Sequence, residues 1–431
     1  MVLRITEYGL FFLIAVIIRL ILFGLNYDVF TSPPTATDSF GYYQRAINLT
    51  LYHTYTFPEK DNEVAFWTPG YPFLMFIVFK VFGIRISVLL LVQILMGSAS
   101  LTLLYLWIQK YTDTYPCFKF FLLLFPDFIL YDMQILTQCL FNTMLLVTVY
   151  LIHTQKWINY PYAIVAGLSL GYTILIKSVA TFILVVFAIY VIAYHRKHAS
   201  KGILLIATAI LSVLPWSLRN YTLLDKFVWV HTNTQWNFYL GNHQQSKGAY
   251  GGKSSYLYDH TFLEGYTELE REQVCRARAW TFIKKHPLLA FRNNLLKISR
   301  TFSPRGAWVL YQTGYSKTGR DFAPYPITPS SRFWQWYSLP FLFFVQVFGL
   351  LGVYLGIKDL KKHFWAVVIF LAFLATFFVF LTGTNYVYLA LPYLVYLAAV
   401  GLSFAHQHRI KLSIISILLI INWAFQYYSQ I

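Results

Sequence analysis

Residues 8–25 read YGLFFLIAVIIRLILFGL, a run close to the roughly 20 apolar residues that cross a bilayer. Similar apolar runs occupy residues 203–218 and 410–424. Of the 431 residues, 58% are hydrophobic and only 12% are charged, whereas about 25% are charged in an average soluble protein. Because a soluble domain needs charged surface, this deficit excludes an ordinary soluble enzyme. The sequence predicts an all-α protein that crosses a membrane many times.

Apolar segments of sufficient length predict about eleven membrane-spanning helices. One further apolar segment, residues 71–82, has only 12 residues, too few to cross about 30 Å of hydrocarbon at about 1.5 Å per residue. We therefore expect this segment to form an interfacial or re-entrant helix. The predicted spans are residues 8–26, 86–108, 118–134, 138–155, 160–176, 178–194, 201–218, 338–356, 364–382, 385–405 and 411–428.

The basic residues indicate the orientation of the chain. The formal net charge is +17, but Lys and Arg are spread over short loops rather than along one face, which argues against nucleic-acid binding. With a cytoplasmic N-terminus and no span at residues 71–82, every basic short loop falls on the cytoplasmic side, as the positive-inside rule requires. These loops contain Lys110, Lys119, Lys156, residues 195–201, residues 358–362, Arg409 and Lys411.

This orientation divides the chain into three parts. Residues 1–218 form an N-terminal transmembrane bundle, whose first outer loop spans residues 27–85. Residues 219–337 form a small extracytoplasmic domain, and residues 338–431 return to the membrane as C-terminal helices. The polar residues that are unusual for a membrane protein collect on the extracytoplasmic face, where we expect any chemistry to take place.

Acidic residues on this face are candidates for catalysis. Asp38 follows the first span by about a dozen residues, and a carboxylate there can act as a general base or hold a metal beside a lipid-borne substrate. The alternative is a helix-capping Asp. Asp127 and Asp132 are expected at the outer end of a span, where an acidic group is costly unless it faces a cavity or a partner. Their alternative is interface anchoring.

Two cations on the same face are candidates for binding phosphate. Lys177 lies between two apolar segments, and Arg219 ends the run PWSLR at residues 215–219. Fixed cations at the outer interface suit a phosphate diester embedded in the leaflet, although a lysine there can also simply extend to the interface. The histidines at 231, 243 and 260 lack the spacing of metal ligands, so the sequence assigns them no functional role.

Several short motifs occur in a fixed order along the chain. Asp38 is followed by Tyr42 and Tyr43, and then come WTPGYP at residues 67–72, PWSLRNY at 215–221, NFYLGNH at 237–243 and RARAWTFIKKHP at 276–287. From the first helix to about residue 403, this set resembles the polyprenol-phosphate-sugar-dependent glycosyltransferases of the C fold. That superfamily includes protein mannosyltransferases and the lipid A aminoarabinose transferase.

The resemblance implies a polytopic all-α fold with interfacial helices in the first outer loop. It further implies an inverting glycosyltransferase in the bacterial inner membrane that uses a polyprenyl-phosphate sugar and a lipid, glycan or protein acceptor on the extracytoplasmic side. Asp38 would act in catalysis, and Lys177 with Arg219 would bind the lipid phosphate. The further substrate-binding candidates are Tyr42, Tyr43, Tyr71, Asn220 and Asn242.

Two positions depart from the pattern of the family. Gln138 stands where relatives often have Glu, and Asn385 precedes Tyr386 where an Arg-Tyr pair is common. These changes leave open whether a divalent metal takes part, and Asp132 is the candidate substitute for the missing carboxylate. Two other functions stay open: a transporter or flippase of lipid-linked sugars, and an inactive sugar-binding membrane subunit.

Overall fold

The computed structural model describes residues 2–34, 37–56, 63–113, 115–244, 246, 263–304, 329–380 and 382–428, with only the backbone at a few positions that include Asn385. Helices dominate these ranges. The expected all-α fold is therefore confirmed. The described α-helices are α1 Val2–Leu25, α2 Tyr27–Thr31, α3 Thr37–Tyr52, α4 Gly70–Phe82, α5 Ile86–Tyr111, α6 Phe118–Leu124, α7 Pro126–Leu130, α8 Gln138–His153, α9 Tyr160–Ile176, α10 Thr181–Tyr194, α11 Ala199–Leu224, α12 Thr234–Gly241, α13 Glu268–Lys285, α14 Pro287–Thr301, α15 Pro329–Lys358, α16 Leu360–Val379, α17 Thr384–Ser403 and α18 Arg409–Tyr428.

Seven helices of the described part are long and apolar enough to cross a membrane, or eight if one bent pair counts as a single span. The chain is therefore a polytopic membrane protein. The other predicted spans correspond to shorter apolar helices and to the bent pair. The seven are Thr6–Leu25, Ile86–Tyr111, Arg196–Leu224, Phe333–Lys358, Leu360–Val379, Tyr386–Ser403 and Ala405–Gln426.

The predicted continuous span at residues 118–134 is wrong. The helix breaks at Phe125, whose backbone is extended with φ −68° and ψ 113°, because the ring of Pro126 disfavours helical conformation at the preceding residue. The chain then forms α7 and a 3₁₀ turn, and Pro126–Met133 meets α8 at an angle of 116°. Residues 118–153 thus form a broken hairpin inside the bundle rather than two regular spans.

The first outer loop packs its short helix α4 deep against the bundle. Gly70, its first residue, lies so close to Ile176 that a Cβ atom at this position would come within 2.7 Å of the Ile176 backbone nitrogen. The Tyr71 hydroxyl donates a hydrogen bond to Gln93 of α5. With 13 residues, α4 is a short apolar helix that does not meet the length of a span, in agreement with the prediction for residues 71–82.

Glycines bring two pairs of helices together, as small residues between membrane helices commonly do. Gly167 and Gly171 of α9 face backbone oxygens of α11, and a Cβ atom there would come within 2.5 and 2.6 Å of them. Gly352 of α15 faces the Leu397 carbonyl of α17 in the same way, at 1.8 Å. These close approaches join α9 to α11 and α15 to α17.

The loops rich in Lys and Arg gather at one end of the bundle. His363 and Trp107 both contact Tyr396, through a 3.0 Å hydrogen bond and a ring stack with centroids 4.2 Å apart. At this end, α5 and α16 therefore both pack against α17. Other contacts at the same end are Lys119–Glu7 at 3.6 Å, Lys411–Tyr354 at 2.8 Å, His195–Trp157 with centroids 5.6 Å apart, and Lys201 5.0 Å from the centroid of the Tyr160 ring.

The orientation of the two ends can be tested by cysteine labelling. We expect a cysteine that replaces exposed Lys226 to react with an impermeant maleimide from outside the cell, because this loop leaves the end opposite the basic loops. A cysteine that replaces exposed Lys361 should not react. Native Cys117 is exposed at the basic end and serves as an internal control that stays unlabelled. Labelling of the 361 variant and protection of the 226 variant would reverse the orientation.

Candidate active site

Asp38 lies in the first turn of α3, where the partial positive charge of a helix N-terminus favours a carboxylate. The residue is accessible to solvent, but protein surrounds it on many sides. This partial loss of water raises the pKa of the Asp38 carboxyl, and the charge of Lys177 opposes the rise. Asp38 is therefore a carboxylate with raised basicity that a small molecule can reach.

Lys177 lies in the extended turn between α9 and the 3₁₀ turn Ser178–Ala180. Its ammonium nitrogen is 5.6 Å from the centroid of the Tyr386 ring, near the start of α17. Burial lowers the pKa of Lys177, and the charge of Asp38 raises it again. Each of the two charges acts on the pKa of the other, so the fold brings together two residues that are distant in the sequence.

Tyr42 lies one helical turn after Asp38 and completes this side of the site. Its ring is buried and makes edge contacts with Trp67 and Tyr71, at centroid distances of 5.0 and 5.5 Å. Burial raises the pKa of the Tyr42 hydroxyl well above its ordinary value, with a further rise from the charge of Asp38. Tyr42 therefore keeps its proton at neutral pH.

Gln138 follows Thr137 at the start of α8. It is buried, and its side-chain oxygen accepts a 3.4 Å hydrogen bond from the hydroxyl of Thr137. The residue that departs from the pattern of the resembled family is therefore a buried, uncharged amide. The other departing residue, Asn385, is described only in its backbone.

The side chain of Arg219 binds two backbone segments of the first outer loop. It donates to the carbonyl of Val64 at 2.6 Å and to that of Tyr55 at 3.5 Å, and its guanidinium lies 4.4 Å from the ring centroid of Trp216. These contacts hold the loop onto α11, whereas the expected contact of Arg219 with lipid phosphate stays a prediction.

The other polar residues of the PWSLRNY motif hold a second loop. Trp216 donates to the carbonyl of Val230 at 2.8 Å, and Ser217 donates to that of Trp229 at 2.5 Å. Asn220, fully buried, donates to the Val230 carbonyl at 3.1 Å. The motif thus fixes the backbone immediately before residue 231. Asn220 serves this loop in the structure, and its expected role in substrate binding stays a prediction.

Glu268, which the sequence analysis did not single out, joins the two loops. Its carboxylate accepts hydrogen bonds from the backbone nitrogens of Val64 at 2.9 Å and Ala65 at 3.1 Å, and from the hydroxyl of Thr232. Burial raises the pKa of Glu268, and these hydrogen bonds lower it again. A capping box at Thr267 and Glu270 starts the helix here, which is the one local signal in the sequence.

His231 is a second residue that sequence reasoning missed. One ring nitrogen, Nε2, is 2.7 Å from the hydroxyl of Ser178, and the other, Nδ1, accepts a 3.2 Å hydrogen bond from the backbone nitrogen of Asn233. Burial, together with the charge of Lys177, lowers the pKa of His231 to about 4. His231 is thus a neutral histidine beside Lys177. His243 lies elsewhere, against Tyr239, and His260 lies outside the described residues.

Asp132 is buried inside the bundle rather than at the outer end of a continuous span. The broken hairpin carries it into the bundle, where its carboxylate is 2.7 Å from the Arg19 side chain of α1. It packs on Gly97, midway along α5, so closely that a Cβ atom there would overlap the carboxylate. Asp132 therefore has a buried cationic partner. Such a partner is expected because an unpaired acidic group inside a membrane is costly. Its catalytic role stays a prediction.

The remaining candidates are buried in distinct places. Tyr43 packs edge-on against Phe79, with ring centroids 6.0 Å apart. Asn242 donates to the carbonyl of Val379 at 2.8 Å and accepts from the ammonium of Lys297 at 3.3 Å. These contacts tie α12 and α14 to the end of α16. For Tyr43, Tyr71 and Asn242, binding of substrate stays a prediction.

Within the residues whose side chains are described, no three His, Cys, Asp or Glu side chains come together in a group that could hold a metal ion. Asp38 and His231 are the two potential ligands near Lys177.

Comparisons with known proteins support the fold. No family model and no curated protein matches the chain. The structure is similar to the crystal structure of the oligosaccharyltransferase of Archaeoglobus fulgidus in its apo form, with a TM-score of 0.54 and 14% sequence identity. The similarity covers 97% of this chain and 55% of that enzyme, so this chain spans little more than half its length. At this identity the two chains share a fold, in agreement with the C fold that the sequence resemblance implies.

Proposed function

We propose that this chain is a membrane glycosyltransferase that moves a sugar from a polyprenyl-phosphate donor to an acceptor on the extracytoplasmic face of a bacterial inner membrane. The observation that carries the proposal is the convergence of Asp38 and Lys177 at a site open to solvent, beside Tyr42 and Tyr386. The similarity in fold to an oligosaccharyltransferase supports a reaction of this type. The acceptor is a hydroxyl or amine of a lipid, a glycan or a protein.

The two charged groups match the two changes of charge in such a transfer. Asp38 accepts the proton of the acceptor as its nucleophilic atom attacks the anomeric carbon of the sugar. The bond from that carbon to the phosphate oxygen breaks, and its electron pair goes to the phosphate. Lys177 stabilises this developing negative charge, and the partly dry surroundings strengthen the attraction. The products are an inverted glycoside and polyprenyl phosphate.

The pKa shifts of the site fit these roles. Partial burial raises the pKa of Asp38, which makes its carboxylate a better base, and Lys177 keeps that carboxylate ionised. The Tyr42 hydroxyl retains its proton and can donate a hydrogen bond to the sugar. Arg219 and Asn220 contribute by holding the loops that border the site, according to the hydrogen bonds that they make.

Replacement of Lys177 tests this proposal. We expect Lys177→Ala to slow transfer by about ten- to a hundredfold, because a charge-assisted contact with phosphate contributes about 1.5 to 3 kcal/mol. Lys177→Arg keeps the charge and should retain part of the activity. The assay follows release of polyprenyl phosphate from a labelled polyprenyl-phosphate sugar, since every acceptor yields this product. Exposed Lys226→Ala, with the same loss of charge on the same face, is the matched control.

The same assay separates the proposal from its alternatives. Wild-type kinetics of folded Lys177→Ala would remove Lys177 from the site. Movement of intact donor across vesicles without release of polyprenyl phosphate would instead indicate a transporter. Binding of donor with neither movement nor release would indicate an inactive sugar-binding subunit.

A further inference from the structure

The hydroxyl of Ser178 lies next to Lys177 and points toward His231. The distance from the Ser178 oxygen to His231 Nε2 is 2.7 Å. The charge of Lys177 also lowers the pKa of His231. The side chains of Lys177, Ser178 and His231 therefore border one small region of the outer face, close enough to Asp38 for its charge to act on Lys177.

The direction of the hydrogen bond between Ser178 and His231 follows from the second ring nitrogen. Nδ1 of His231 accepts a hydrogen bond from the backbone N–H of Asn233, so this nitrogen carries a lone pair. A neutral imidazole has one N–H, which must then be at Nε2. His231 therefore donates to the Ser178 oxygen. The Ser178 hydroxyl keeps its own hydrogen for another acceptor, and among the described residues no protein acceptor for it is seen.

Hydrogen bonds on two sides fix the loop that carries His231, and thereby its contact with Ser178. Trp216, Ser217 and Asn220 bind the carbonyls of residues 228–230. On the other side, Trp229 donates a 3.1 Å hydrogen bond to the hydroxyl of Thr181, which follows the turn that contains Ser178. The loop is thus fastened to both helices that border the site, and residue 231 has a defined position relative to residue 178.

We propose that the Ser178 hydroxyl is a second group that binds the phosphate of the donor lipid, adjacent to Lys177, and that His231 is a positioning residue that turns this hydroxyl toward the phosphate. The inference rests on the proposed function and extends it to two further residues. Phosphate oxygens are strong acceptors. Because the Ser178 oxygen accepts a hydrogen bond from His231, its own O–H can be donated to a phosphate oxygen.

The same geometry argues against a nucleophilic role for Ser178. A serine nucleophile needs a histidine nitrogen that accepts its proton, and that histidine must donate from its other nitrogen to an orienting acceptor. Here the two nitrogens have the opposite roles, because Nδ1 faces a donor. The pair of Ser178 and His231 is therefore arranged to orient a hydroxyl rather than to activate it.

Binding of a short-chain prenyl phosphate to the full-length protein in detergent tests the inference. We expect Ser178→Ala to weaken binding by about ten- to a hundredfold, the range for loss of a hydrogen bond to a charged group. Ser178→Thr, which keeps the hydroxyl, should retain most of the affinity. Binding of the matching prenyl alcohol, which lacks phosphate, should not change in either variant. Ser413→Ala, whose hydroxyl bonds to its own helix, is the control.

A double-mutant cycle tests the role of His231. If His231 acts through Ser178, His231→Ala should weaken prenyl phosphate binding in the wild-type background but not in the Ser178→Ala background. His231→Gln keeps an N–H in place of Nε2 and should restore part of the affinity. Additive losses in the double variant, without rescue by His231→Gln, would show that His231 has a separate structural role.

The outcomes distinguish this inference from the proposed function. Equal affinity of wild type and Ser178→Ala, together with a loss for Lys177→Ala, would overturn the role of Ser178 and leave the proposed function intact. An equal loss for prenyl phosphate and prenyl alcohol would also overturn it, because the defect would not concern phosphate. If the wild-type protein binds no prenyl phosphate, the proposed function fails and this inference fails with it.

Discussion

We expect Asp38→Asn to lower the rate of sugar transfer by about 10² to 10⁴, the usual cost of losing a general base. Asparagine has the same shape as aspartate but cannot accept a proton from the acceptor. The position lies in the first turn of α3 and is accessible to solvent, so the change should leave the fold intact. Single-turnover transfer from labelled polyprenyl-phosphate sugar measures the chemical step directly.

Binding of donor provides the second measurement for this variant. Loss of the Asp38 charge removes the partner that raises the pKa of Lys177, yet Lys177 still faces the phosphate. We therefore expect prenyl phosphate binding to persist in Asp38→Asn. Asp28→Asn, which removes an exposed carboxylate from the first turn of α2 in the same outer loop, is the matched control. Wild-type turnover of Asp38→Asn would refute the catalytic assignment and make Asp132 the next candidate.

A large loss of stability is expected for Arg19→Leu. Arg19 is fully buried, and its side chain donates to Asp132 at 2.7 Å and to the carbonyl of Phe128 at 2.9 Å. Removal of one partner from a buried ion pair leaves an uncompensated charge and costs about 3 to 5 kcal/mol. The midpoint of chemical unfolding in detergent should fall accordingly.

The double variant Arg19→Leu/Asp132→Leu is the decisive comparison. Since it buries no unpaired charge, it should recover most of the stability that Arg19→Leu loses. An equal or greater loss in the double variant would show that the ion pair itself stabilises the broken hairpin. The folded double variant also tests the catalytic alternative. Wild-type transfer without the Asp132 carboxylate would exclude this residue as the base.

Much of the fold could be predicted from the sequence because the membrane imposes a local rule. Every backbone polar group in the hydrocarbon must be satisfied within its own segment, so a sufficiently long apolar run becomes a helix. This rule predicts the long spans, and the distribution of Lys and Arg predicts which loops share an end. The length of residues 71–82 likewise predicts a helix that does not span. Asp38 and Lys177 stood out because charged residues are rare beside apolar segments.

The partners of the polar side chains depended on the tertiary structure. Hydropathy reports where a residue lies along its own segment but not which distant residue faces it. The pairing of Arg19 with Asp132 requires the break before Pro126 and the close approach allowed by Gly97. From the sequence we expected Arg219 and Asn220 to bind substrate, whereas in the structure they hold two loops.

The contact between His231 and Ser178 could not be predicted from the sequence. Nothing in the spacing of His231 distinguishes it from other histidines of the outer domain, and Ser178 has no local signal either. They meet because α11 fixes the loop that follows it and because α9 ends beside that loop. The sequence alone determined the membrane class, the long apolar helices and the two charged candidates, since these follow from local composition. The packing of distant segments decided which polar groups face one another, because such contacts depend on long-range geometry that no local pattern records.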